Sequence, residues 1–168
     1  MSEPMLRSIA VRELDPDIFA PFGDVIAALE DGAPFGQGTA TLDLSRGTPR
    51  FYIMGLSGRG QRFSRITRHR QVTQCLASVG GRPWWIAVAP PFGVDDPEAQ
   101  PALEDIKAFR IPGDVAIKLH RGTWHAGPFF EGEKMSFFNL ELADTNETDH
   151  QSCDLAQIHG VTFAFESV

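Results

Sequence analysis
Lys118, His120 and His125 fall within one short stretch, Ile111 to Phe130, IPGDVAIKLHRGTWHAGPFF. An imidazole titrates near neutrality, so it can accept or donate a proton, and its neutral form ligates Zn, Ni, Fe or Cu. A lysine ammonium can hold a carboxylate. Two histidines on either side of Gly122, with Lys118 just before the first, can converge on one cavity. The duller expectation is a hairpin tip whose histidines are hydrogen-bonded and inert. His69 belongs to a second candidate stretch, beside Arg65, Arg68 and Arg70, where the alternative is a solvated basic face. Glu141 offers a carboxylate from a later strand, against the alternative of a surface residue on a sheet edge.

Short strands must position these groups. Pro112-Gly113-Asp114 makes a turn, because proline presets φ and glycine relieves it. Val115, Ile117 and Leu119 then alternate with Ala116, Lys118 and His120, so Lys118 and His120 share a face. Arg121-Gly122 breaks the run and Trp124-His125 resume it as the second arm of a hairpin. Met135 to Leu142 puts Phe137, Asn139 and Glu141 on one face and Ser136, Phe138, Leu140 and Leu142 on the other. Further strands are expected at Met5–Leu14, from Asp24, and at Thr39–Leu44, Arg50–Leu56, Arg62–His69 (with a bulge), Ile106–Ile111 and Val161–Phe165. Gly80-Gly81-Arg82-Pro83 reads as a hairpin turn before a buried strand, Trp84–Pro91. Short helical segments are expected at Pro16–Ala20, capped by Asp15, and at Asp154–Gly160. Asp144–Cys153 reads as a loop. Roughly ten short strands separated by turns predict an all-β sandwich or barrel.

Composition bounds the function. With 168 residues and 42% hydrophobic content, the chain can bury a core as one domain, residues 1–168. The 12 prolines and 16 glycines punctuate it and favour strands over long helices. A net charge of -7 argues against nucleic acid as a partner, since binding phosphate backbones needs excess Lys and Arg. No run approaches a membrane span, and the start, MSEPMLR, has no apolar leader segment. Cys75 and Cys153 are far apart and in no CxxC pair, which suits free thiols in a reducing cytoplasm.

Gly113, Gly122 and His125 together resemble the second signature of the cupin superfamily: a glycine, a short strand, a Gly turn and a closing histidine. A closer resemblance, to the ureidoglycolate lyase family, spans most of the chain. It is carried by IFAPFGDVI (Ile18–Ile26), Gln37-Gly38-Thr39-Ala40, Arg68-His69 with Thr73-Gln74, Trp84–Pro91 and Gly113–His125. Leu42 and Thr67 stand where the family tends to place arginine and glutamate.

The resemblance implies a cupin-like double-stranded β-helix, or jelly-roll barrel, with a few short helices. It also implies a homodimer and a place in allantoin breakdown. The implied reaction is release of urea and glyoxylate from ureidoglycolate, a small carboxylate, by acid–base elimination. His69, Gln74, His120 and His125 match the family's pocket positions. On this reading His125, His120 and Lys118 are catalytic, and Arg68, His69, Gln74 and Glu141 bind substrate. The pattern makes no cofactor certain; a weakly bound divalent metal, Ni or Zn, would sit at His69, Gln74 and His125. A metal-dependent cupin oxygenase or isomerase, and a non-catalytic cupin binding a small acid, are the competing readings. Apolar runs at Trp84-Trp85-Ile86 and Phe137-Phe138 are further reason to expect a partner subunit.

Overall fold
A computed structural model describes residues 2–166. The first strand run divides into β1 (Met5–Ile9) and β2 (Val11–Glu13). Helix α1 (Pro16–Phe19) follows, with the Asp15 carboxylate accepting from the Asp17 and Ile18 amides. Next come β3 (Gly23–Ile26), β4 (Pro49–Ser57), β5 (Arg62–Phe63), β6 (Arg65–Arg68), β7 (Gln74–Ser78) and β8 (Trp84–Ala89). The chain continues through β9 (Lys107–Ile111), β10 (Ala116–Leu119), β11 (Trp124–Phe129) and β12 (Lys134–Leu142). It closes with α2 (Thr145–Thr148), β13 (Gln151–Asp154), α3 (Leu155–His159) and β14 (Val161–Phe165). This is an all-β fold of the cupin-like kind with a few short helices.

Two expectations are corrected along the way. Thr39–Leu44 forms no strand. It docks instead on Thr73, whose amide donates to the Asp43 carbonyl and whose hydroxyl accepts from the Asp43 amide. The polar stretch Asp144–Cys153 is not an open loop: it contains α2 and most of β13.

The strands form three layers. A five-stranded sheet has the order β3-β10-β7-β12-β4, a six-stranded sheet β13-β6-β11-β8-β9-β2, and a three-stranded sheet β1-β14-β5. Neither expected hairpin exists. β10 pairs with β3 and β7, whereas β11 pairs with β6 and β8. Likewise β7 and β8 belong to different sheets. The glycine turns are crossings from wall to wall. Gly122, at φ +81, allows one of them, and its amide donates to the His69 carbonyl at 2.7 Å.

The six-stranded sheet is the middle layer. One face of β8 sends Trp84, Ile86 and Val88 into a core shared with Leu76, Ile117, Leu119 and Phe137 of the five-stranded sheet. Its other face sends Ala87 and Ala89 into a second core with Phe63, Val161 and Phe163. Trp84, Ile86 and Phe137 are therefore interior residues and offer nothing to a partner subunit; of that set Trp85 is half-buried and Phe138 reaches the surface, at 37% exposure. No helix among the described residues is long and apolar enough to cross a membrane.

Candidate active site
Strand alternation decides which polar groups enter the space between the two large sheets. From the five-stranded sheet, Gln74 and Leu76 of β7, Asn139 and Glu141 of β12, and Met54 and Leu56 of β4 face inward. From the facing wall come His125, Gly127 and Pro128 of β11, and His69 just past β6. A register shift between Ala126 and Phe129 bends β11 at this point. Arg59 from the β4–β5 loop, Asn146 of α2 and His150 complete a chamber of about 240 Å³.

His69, Gln74 and His125, more than fifty residues apart along the chain at the extremes, thus meet. The His69 and His125 ring centres are 5.1 Å apart, and His150 is 5.6 Å from His69. Nδ1 of His69 lies 2.7 Å from the Asp149 carbonyl, and Nδ1 of His125 lies 3.3 Å from the Thr123 carbonyl. A carbonyl oxygen only accepts, so each ring carries its proton on Nδ1 and keeps an open lone pair on Nε2. Burial lowers both pKa values. The Asp149 carbonyl and the Asp149 and Glu141 carboxylates partly offset this for His69. His125 has no such carboxylate and is lowered to about 3, by burial first and then by the neighbouring His69.

A hydrogen-bond chain orients the opposite wall. The Gln74 amide donates to Asn139 Oδ1 at 3.1 Å and to Glu141 Oε2 at 3.4 Å. Asn139 donates to the Tyr52 hydroxyl, which donates to Glu141 Oε1 at 3.2 Å. Arg50 stacks on the Tyr52 ring, 3.7 Å from its centre. Both Gln74 neighbours are acceptors, so its oxygen points away from them. Gln74 Oε1 is buried without a partner, which costs free energy unless a ligand donates to it.

Of the other candidates, Arg68 and Lys118 lie outside the chamber, and His120 lines a small crevice with His69, Gln74 and His125. Arg68 occupies the opposite face of β6 from His125. It stacks 4.7 Å from the Trp124 ring and donates to the Phe92, Gly93 and Asp96 carbonyls and to Gln151. Its guanidinium is a buried structural fastener and does not line the chamber. Lys118 projects from the outer face of the five-stranded sheet, where it pairs with Asp24 at 2.9 Å. Lys118 and His120 do touch, at 3.0 Å, as their shared face predicts. The ammonium donates to His120 Nδ1, so Nε2 carries the proton and donates to the Ala20 carbonyl at 3.0 Å. That ring has no free nitrogen. Leu42 is exposed and outside the chamber, and Thr67 bonds Ser152 at 2.8 Å. The chamber also holds Asn139, Asn146, His150 and Arg59, which the motif reading missed. For Asn139 a signal existed, since it shares the Glu141 face of β12.

A separate hollow of about 160 Å³, walled by Trp85, Phe129, Phe130 and Phe165, contains no histidine. Among the described residues no group of three or more His, Cys, Asp or Glu side chains is spaced to hold a metal. The donor set that remains is His69 Nε2, His125 Nε2 and the orphaned Gln74 oxygen, which suits a weakly held divalent ion.

Comparison with known proteins agrees with this architecture. The family model described as ureidoglycolate lyase matches residues 6–162. The chain is 31% identical over 153 residues to a ureidoglycolate lyase of Brucella ovis, covering 82% of this chain and 85% of that one. It is 28% identical over 141 residues to a ureidoglycolate lyase of Pseudomonas syringae pv. tomato, covering 71% and 74%. A ureidoglycolate lyase of Chelativorans sp. is 28% identical over 149 residues, covering 81% and 86%. With its fold, its convergent histidines and a family match over nearly its whole length, this chain belongs to the ureidoglycolate lyase family.

Proposed function
We propose that this protein is a carbon–nitrogen lyase that converts ureidoglycolate to glyoxylate and urea, serving purine-derived allantoin breakdown. The observation that carries the reading is that His69 and His125 both line the chamber with Nδ1 bonded and Nε2 unbonded, set against the Gln74–Glu141 wall. Elimination takes the proton from the substrate hydroxyl, forms the C=O bond and breaks the C–N bond to the ureido nitrogen. The same proton, delivered to that nitrogen, yields urea, so one imidazole can serve as base and then as acid. His69 is the better shuttle, because the Glu141 and Asp149 carboxylates favour its cationic form. His125, held neutral, accepts a hydrogen bond and orients the substrate. The free Gln74 oxygen accepts from the ureido N–H groups. No water attacks, which separates this lyase from a hydrolase.

A divalent ion, Ni or Zn, held by His69, Gln74 and His125 is the alternative use of the same three atoms: it would supply Lewis-acid polarisation of the substrate oxygens, and His69 would then not be the proton shuttle. The protein is expected to release equimolar glyoxylate and urea from ureidoglycolate; an unchanged substrate, both with and without added divalent metal, would sink the assignment.

The homodimer reading is supported by the outer face of β4 and β12. There Phe51 and Ile53 are 68% and 57% exposed, and Phe51 stacks on Phe138 at 5.8 Å. Sedimentation should give a dimer at micromolar concentration; a monomer there removes this proposal. A cytoplasmic location fits free thiols. Burial raises Cys75 to about 11 and also raises Cys153, so neither is poised to react.

A further inference from the structure
The chamber lining has three imidazoles, two of them held below their ordinary pKa by burial, with amides and a carboxylate. Arg59 is the one Lys or Arg among its lining residues. Arg59 also lines an outer vestibule of about 340 Å³, together with Arg62 and Arg65. The two spaces share Arg59, His125, Gly127 and His150, so the vestibule is the mouth of the chamber. Among the described residues neither Arg59 nor Arg62 pairs with a carboxylate, and Arg65 meets Asp154 at 3.4 Å while 67% exposed. The protein carries a net charge of -7, so a small anion is repelled from most of its surface. Three guanidinium groups at one mouth reverse that sign locally.

The loop that presents Arg59 is held in place. The Gly58 amide donates to the Glu133 carbonyl at 2.7 Å. A Cβ at position 58 would stand 2.5 Å from the Gly132 carbonyl oxygen, so only glycine allows this approach. Gly60, at φ +76, turns the chain back toward β5. The backbone at Arg59 is therefore held beside the chamber neck, where its exposed planar fork can reach a carboxylate.

We infer that Arg59 is the carboxylate-recognising residue of this site, and that Arg59, Arg62 and Arg65 make its mouth selective for small organic anions. The inference rests on the lyase reading for the identity of the substrate, not for its charge.

Calorimetric titration with ureidoacetate, which lacks the reacting hydroxyl, and with its neutral amide tests it apart from turnover. The intact protein should bind ureidoacetate about 10- to 100-fold more tightly than the amide, a charge-assisted hydrogen-bond contribution. Arg59→Ala should abolish that preference and raise KM for the carboxylate substrate more than it lowers kcat. Arg59→Lys should restore part of the preference. Arg62→Ala should weaken ureidoacetate by a few-fold, and less at high salt. Equal affinity of the intact protein for the two probes, or an Arg59→Ala preference as large as that of the intact protein, overturns the inference. If ureidoglycolate is not turned over but Arg59-dependent carboxylate binding persists, the lyase reading fails and this one stands.

Discussion
Gln74 and Lys118 are buried on neighbouring strands of one sheet and point to opposite faces, and each anchors a polar cluster. Outside, Lys118, Asp24, His120 and the Ala20 carbonyl satisfy one another, and no ring nitrogen of His120 is left over. Inside, His69 and His125 each spend one nitrogen on a carbonyl and keep the other, and the Gln74 oxygen has no partner. Both clusters contain the residue types that suggest chemistry. What distinguishes them is saturation: a cluster with every valence used stabilises the fold, and one with valences open toward a cavity is arranged for a ligand.

The largest expected effect falls on the inner cluster. His69→Asn and His125→Asn should each lower kcat by about 10²- to 10⁴-fold, the usual range for a lost acid–base group. Their denaturant midpoints should stay close to that of the parent. An equal loss in Lys118→Met would erase the distinction between the two faces. That substitution is instead expected to cost about 1–3 kcal/mol of stability, since it leaves Asp24 and His120 without their donor. Its kcat should remain within a few-fold of the parent value.

A smaller effect sharpens the contrast through pH. Both inner histidines are held below the ordinary value of 6.5, so the unfolded chain binds more protons than the folded one as pH falls. Their contribution is constant above about 6.5 and becomes destabilising below it, down to about 3 for His125. His125→Asn should flatten the stability curve between those limits relative to the parent. Identical curves for the variant and the parent would contradict the burial argument.

Much of this could be read from residue order. The alternation of Met135–Leu142 puts Asn139 and Glu141 together, and it is the family resemblance that groups His69 and Gln74 with His125. What alternation cannot say is which face of a strand is inside. It pairs Lys118 with His120 correctly and leaves open that Lys118 faces outward to Asp24. Nor can it say that β10 and β11 pair with different partners, because a Gly turn suits a hairpin and a crossing between sheets alike. Arg68 is misread because a buried guanidinium bonded to carbonyls looks, in sequence, like one that binds an anion. Arg59 lies in a glycine-rich turn with no periodicity, so only the closure of the chamber reveals it.

The central claim is that two buried, neutral imidazoles present open Nε2 atoms to one ligand. Nitrogen-15 NMR of the histidine rings, titrated from pH 8 to pH 5 with and without ureidoacetate, measures this directly. His69 and His125 should show the Nδ1–H tautomer and shift at Nε2 when the ligand binds; His125 should stay neutral across this range, and His69 should titrate below the ordinary 6.5. Titration of both rings near 6.5 with no response to ligand would contradict the account.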